Sequence, residues 1–361
     1  MTVEAAKLGT PMLIVDEARV MTNIARMAAA TRAAGCALRP HFKTSKMIAV
    51  ARAQIAAGAV GLTCATAAEI RALLDAGIAD LFWNQPPAGP DRAEAAVAFN
   101  REGRVAVALD SEEAAAGLSS AAVAAGVVVP CRLEIDTGMR RAGVTPEAAL
   151  PLARVLWAMP GLAFEGIFTH EGHLYGVAEP DLRRVAAGGV GRAMAALAAT
   201  LAAEGLDCPV VSVGSTPGGA DSAMPEGVTE ARPGTYVFMD ANQLHLGTCR
   251  EEDCAVTVLA RVLSRPRPDA AVIDAGLKAM SSDRALAGQG FGRVVGREGL
   301  AFETAYEEHG LLTGPGAAGL GVGDLVEIIP NHVCGAVNMW SRAHLRRDGA
   351  IVDTWPVTGR H

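Results

Sequence analysis

A short β-type run followed by an alanine-rich amphipathic stretch recurs through the first two-thirds of this 361-residue chain. The β-type runs fall at 37–42, 60–64, 80–84, 105–110, 131–136, 164–169, 209–213 and 235–239. Apolar residues spaced by three and four mark helices between most of them, as at 66–76, 111–125 and 146–159. Strands alternating with helices pair in parallel through right-handed crossovers. Eight such units predict an α/β fold, a (β/α)8 barrel, with an open doubly wound sheet as the alternative. Beyond residue 245 the rhythm changes to short β-type runs such as "CAVTVLARVLSR", "AAVIDAG" and "DLVEIIP", with turn residues and little helix between them. The expected division is therefore a barrel over 17–244 and an all-β domain over 245–361, which residues 1–16, carrying the strand-like "TPMLIVD", are expected to join.

Net charge narrows the partners. The chain carries −7 with no block of Lys or Arg, so neither nucleic acid nor an anionic membrane surface has an electrostatic footprint. No charge-free run of 18 or more apolar residues and no secretion-type N-terminus stands out. Seven cysteines, odd in number and scattered, do not form a disulfide framework. A small-molecule partner and a reducing, cytoplasmic setting are expected.

Only four lysines occur, at 7, 43, 46 and 278, against 28 arginines, and two stand three residues apart in "LRPHFKTSKM". An amine can lose its proton and act as a nucleophile, which a guanidinium cannot. Codon bias accounts for the scarcity of lysine but not for this placement. Alternation along a strand places Arg39, His41 and Lys43 on one face and Leu38, Pro40 and Phe42 on the other. The polar set then points into the barrel, with Lys43 at the C-terminal end of its strand, where barrel enzymes build their sites. A salt bridge plugging the barrel is the competing role for Lys43, and Lys46 is expected to be the better solvated of the two.

Other strand ends repeat the pattern. Arg132, Glu134 and Asp136 share one face before "DTGMRRAG". "FTHEGHLYG" brings His170, His173 and Tyr175 within six residues, so that one histidine is a candidate base. Small-residue turns after strands 7 and 8, "GSTPGG" and "RPGTYVFMD", suit a phosphate held on backbone N–H groups. "GPGAAG" has G-x-G-x-x-G spacing but no strand-to-helix context, and "CREEDC" has the wrong spacing for a zinc knuckle.

The ordered set "TPMLIVD", "RPHFKTSK", "DTGMRRAG", "THEGHLYG", "GSTPG", "RPGTYVFMD", "IDAGLKAMSSD", "EEHG" and "PNHVCGAVN" resembles the fold-type III pyridoxal phosphate enzymes of the D-threonine aldolase / D-serine dehydratase group. The match runs from residue 10 to 338 in family order. The resemblance implies an alanine racemase-like barrel with a β domain, pyridoxal 5'-phosphate, a divalent metal and a homodimer. By position it makes Lys43 the lysine that binds the cofactor aldehyde and Arg141 the arginine near the ring's phenolic oxygen. Ser215, Thr216, Gly234 and Thr235 become the phosphate cradle, with Tyr236 and Tyr175 among the cofactor contacts. The chain departs at residue 45, where "KTSK" replaces the frequent "KTHK" and removes any role for a histidine there.

His332 and Cys334 in "PNHVCG" would share one face if the preceding strand continued. Imidazole plus thiolate is a zinc-type ligand pair. The resemblance makes it the site of a divalent metal, Mn2+ or Zn2+ with Mg2+ as a further option. The expected activity is a lyase acting on β-hydroxy-D-amino acids, with aldol cleavage of D-threonine in front of dehydration of D-serine or D-threo-3-hydroxyaspartate. An amino-acid racemase and a non-catalytic cofactor carrier are the remaining readings.

Overall fold

A computed structural model describes residues 9–218, 224–286, 288 and 290–360. The chain divides into two compact units. One holds 25–43 and 51–234; the other holds the N-terminal segment up to Ile24, Thr44–Val50 and Thr235–Thr358.

The first unit is built on eight parallel strands. In chain order they are β2 (Ala37–Leu38), β3 (Leu62–Cys64), β4 (Asp80–Trp83), β5 (Arg104–Leu109), β6 (Val129–Glu134), β7 (Leu162–Phe168), β8 (Val210–Val213) and β9 (Glu230–Ala231). They lie in the order β2-β9-β8-β7-β6-β5-β4-β3. A parallel bridge from His41 to Thr63 joins the two ends, so the ring closes as a (β/α)8 barrel. Helix boundaries follow local chemistry: Ser111 caps Glu112–Ala125 by accepting the Ala114 N–H, and Gly126 ends it in the left-handed conformation. Seven of the eight expected strands fall where the alternation placed them, shifted by a few residues.

The eighth does not. Residues 235–237 form a 3-10 turn, and the closing strand is the two-residue β9. Pro233 follows Arg232, has no N–H for a ladder, and lets the chain leave the sheet. The helix Pro180–Ala203 is long and apolar enough, by length and composition, to cross a bilayer. Besides Arg183 its buried residues, Gly191, Met194, Ala198 and Leu201, recur at helical spacing, the pattern of an outer barrel helix laid on strands.

The barrel interior is polar at one level and aromatic at the next. Arg132, 1% exposed, donates from Nη1 to Glu230 Oε1 at 2.6 Å, and Arg39 Nε donates to Glu230 Oε2 at 2.7 Å. Ser212 donates to the same carboxylate at 2.8 Å and accepts from Arg232 Nε at 2.8 Å. Above and beside them Phe82 and Phe168 meet edge to face, with ring centroids 4.9 Å apart. The Arg132 guanidinium lies 4.5 Å from the Phe82 centroid and that of Arg232 lies 5.0 Å from Phe168. Burial would raise the Glu230 carboxyl, but Arg132 and Arg39 overcome it and hold it down to about 2. Arg39 is thus committed to Glu230 and Asp80 rather than free beside Lys43.

In the second unit β10 (Val256–Arg267), β11 (Ala270–Ile273), β14 (Gly310–Thr313), β13 (Ala301–Ala305), β12 (Gly292–Val294) and β15 (Leu325–Pro330) form an antiparallel ring, since β10 pairs with both β11 and β15. The strand β1 (Met12–Asp16) adds to β10, followed by β16 (Arg342–Arg347) and β17 (Ala350–Pro356). Met12, Ile14 and Leu259 form one of its apolar clusters.

Candidate active site

Lys43 stands at the C-terminal end of the first barrel strand, in the 3-10 turn Phe42–Thr44 rather than on the strand itself, which stops at Leu38. Pro40 interrupts the ladder and lets the turn form. Lys43 is half-buried, whereas Lys46 is only 5% exposed, with φ +48. The expectation that Lys46 is the solvated lysine is therefore wrong: its carbonyl accepts the Thr358 N–H at 2.7 Å, and the segment is packed in place.

Around Lys43 the barrel rim gathers cations and neutral imidazoles. His41 Nδ1 accepts the Lys43 backbone N–H at 3.4 Å, and Asn84 Nδ2 lies 3.2 Å from its Nε2. Burial, then the charges of Lys43, Arg232, His170 and Arg141, push His41 well below the usual imidazole range. His170 behaves alike: burial first, then Lys43 and Arg232, bring it down to about 3. His170 is therefore neutral, and its Nδ1, 3.2 Å from the Gly214 carbonyl, carries the proton and donates it there. That leaves Nε2 with a lone pair. His173 sits on the turn Gly172–Gly176 with Tyr175; its Nδ1 is buried and has no hydrogen-bond partner. The ring packs near Gly138, in a turn whose N–H groups at Gly138 and Arg140 donate to Asp136 Oδ1. Arg141 follows, exposed.

The loop after β8 is built for backbone approach. Gly214 has φ +156, and a Cβ there would lie 2.3 Å from the Arg232 backbone nitrogen. Ser215 and Thr216 are buried, and Ser215 Oγ accepts the Gly218 N–H at 3.1 Å. Residues 219–223, which include the end of "GSTPGG", lie outside the described residues. Glu171, buried and raised by that burial, accepts the Gly214 N–H at 2.9 Å. An amine, cations, neutral imidazoles, a glycine loop with two hydroxyls and an orphaned buried ring nitrogen suit an anionic, aldehyde-bearing cofactor such as pyridoxal phosphate. Arg232, His41 and Glu171 were not assigned roles from sequence. Arg232 and His41 stood inside the motifs "RPGTY" and "RPHFK", but nothing in the spacing separated them from the barrel plug.

Thr235, Tyr236, His332 and Cys334 belong to the β unit. Thr235 and Tyr236 are buried in the turn Thr235–Val237; Gly234 ends the barrel unit. The expected continuation of β15 through the His-x-Cys pair does not occur. His332 occupies the N-cap position of the helix Val333–Asn338, without a capping bond from its side chain, and Cys334 lies in the first turn. The two side chains still meet: the Cys334 sulfur hydrogen-bonds the His332 imidazole and its charge raises that ring to about 9. Cys334 Sγ lies 3.1 Å from Thr44 Oγ1 and 3.8 Å from Thr235 Oγ1. Among the described residues no group of three or more His, Cys, Asp or Glu is placed to hold a metal ion. A nitrogen–sulfur pair with open positions fits a borderline-soft divalent ion that keeps water or substrate oxygens as further ligands.

Two family models match the chain, alanine racemase, N-terminal domain, over 15–242 and putative serine dehydratase domain over 255–345. D-threo-3-hydroxyaspartate dehydratase of Delftia sp. (strain HT23) is 35% identical over 93% of this chain and 98% of its own length. The crystal structure of D-threonine aldolase from Filomicrobium marinum superposes with a TM-score of 0.91 at 31% identity, over 98% of this chain and 96% of that one. A cysteine-to-alanine mutant of D-threo-3-hydroxyaspartate dehydratase in the metal-free form gives a TM-score of 0.91 at 34% identity, covering 96% and 97%. With its racemase-like barrel and serine dehydratase domain in one continuous match, the chain belongs to the fold-type III pyridoxal phosphate enzymes, in the branch that contains D-threonine aldolase and D-threo-3-hydroxyaspartate dehydratase.

Proposed function

We propose that this protein is a pyridoxal phosphate- and divalent metal-dependent lyase that cleaves D-threonine to glycine and acetaldehyde. The observation that carries the reading is His170, a neutral imidazole with Nδ1 committed to Gly214 and Nε2 available as a base beside Lys43. Cleavage of a Cα–Cβ bond needs a base for the β-hydroxyl proton; racemisation does not. A base held near 3 is weak by itself; burial is the main cause, and an anionic substrate and cofactor would offset only the share owed to Lys43 and Arg232. His173 is the second candidate for the same proton.

When bound, pyridoxal phosphate supplies an electron sink at Cα, and a divalent metal supplies a Lewis acid for the hydroxyl oxygen. Lys43 would hold the cofactor by its amine, with Arg141 and Tyr175 at its ring. Ser215, Thr216, Gly234, Thr235 and Tyr236 would hold its phosphate, and His332 with Cys334 the metal. The metal-free form of a relative's cysteine variant supports the last assignment. Zn2+ suits the donor pair and Mn2+ is the alternative. A homodimer remains the expected assembly.

Dehydration is the second reading, favoured by the 35% identity to a dehydratase. Incubation with D-threonine, the cofactor and Zn2+ or Mn2+ separates the two. Glycine plus acetaldehyde is expected; 2-oxobutyrate plus ammonia would replace the aldolase by a dehydratase. D-threo-3-hydroxyaspartate in parallel should give glycine plus glyoxylate for an aldolase, and oxaloacetate plus ammonia for a dehydratase.

A further inference from the structure

The β unit contains a buried carboxylate that the proposed mechanism leaves without a role. Asp240 is 0% exposed. Its Oδ1 accepts the Gln243 N–H at 2.9 Å and caps the helix Ala241–His245. Its Oδ2 accepts the N–H of Val333 at 3.1 Å, and Val333 is the residue between His332 and Cys334. The same oxygen lies 3.9 Å from His332 Nδ1. Asparagine or serine would cap a helix equally well without the cost of desolvating a charge. Capping alone therefore does not explain an aspartate here. A carboxylate behind the ring of a metal-binding histidine fixes its tautomer and orientation.

We propose that Asp240 is the positioning residue of the metal centre. Its carboxylate faces the Nδ1 edge of the His332 ring at 3.9 Å, which leaves Nε2 as the donor for the ion, and its bond to Val333 sets the backbone that carries both ligands. The inference rests on the reading of His332 and Cys334 as metal ligands.

Asp240→Ser and Asp240→Asn discriminate, because both retain an oxygen that caps the helix and neither carries the charge. Zn2+ affinity, measured by competition with a chelating dye, should fall about 10- to 100-fold in each, while the visible absorbance of bound pyridoxal phosphate stays. A serine variant that binds Zn2+ as tightly as the unaltered protein would overturn the proposal and leave Asp240 a helix cap. His332→Ala is the control: if it too retains full Zn2+ affinity, the metal assignment fails and the positioning role with it. A readout that needs no substitution is the proton spectrum of the Co2+-loaded protein. One hyperfine-shifted, slowly exchanging ring N–H is expected; its absence would equally overturn the proposal.

Discussion

Lys43 and His170 gain their chemistry from neighbours that lie far from them in sequence. Removing the amine in Lys43→Ala should abolish both retained cofactor and activity. An unchanged visible absorbance after dialysis would sink the assignment. His170→Asn keeps a hydrogen-bond donor toward Gly214 and removes the base. Its kcat should drop by about a hundred- to ten-thousand-fold with cofactor still bound. If His173→Asn shows that loss instead, the base is His173. His332→Ala should lose bound metal, read by elemental analysis, and keep the cofactor absorbance. The sequence singles out Lys43 because an amine three residues from another is unusual in an arginine-rich chain, and His170 and His173 because they cluster after one strand. The neutrality of His170 was not, since it depends on burial and on Arg232, 62 positions away.

At the scale of elements, turns decide more than strands. The loop after β8 can lie directly against the segment that follows β9 because Gly214 carries no Cβ where Arg232's backbone passes. Gly214→Ala would force an overlap at 2.3 Å, and either the loop or β9 must shift. A loss of about 1–3 kcal/mol by urea unfolding is expected, together with weaker cofactor retention. The alternation of hydrophobicity placed seven barrel strands and the return to β structure after residue 245. It misplaced the eighth, because "TYVFMD" is strand-like in composition but follows a proline that cannot pair. For the same reason the His-x-Cys pair was expected on an extended segment: period-two reasoning cannot see a helix of six residues.

Across the whole barrel the largest electrostatic commitment is Glu230, 4% exposed between Arg39 and Arg132. Its carboxyl is held at about 2 against an unfolded value of 4.5. A depressed carboxyl stabilises the fold fully above the unfolded value and loses that contribution as pH falls from 4.5 through about 2. Unfolding monitored by circular dichroism should show stability declining in that window, and Glu230→Gln should flatten the decline. At neutral pH the variant should be less stable by about 1–3 kcal/mol, because Arg39 and Arg132 lose one counter-ion and keep only Asp80 and Glu165. A variant as stable as the parent at pH 7 would refute this account of the barrel core. Periodicity and ordered motifs are local properties of a chain, and they were enough to predict the racemase-like barrel and the C-terminal β domain. Which charges neutralise one another is settled by folding alone. Arg39 shares a strand face with Lys43 in the sequence, yet folding sets it against Glu230, and that pairing spans 191 positions that no local pattern connects.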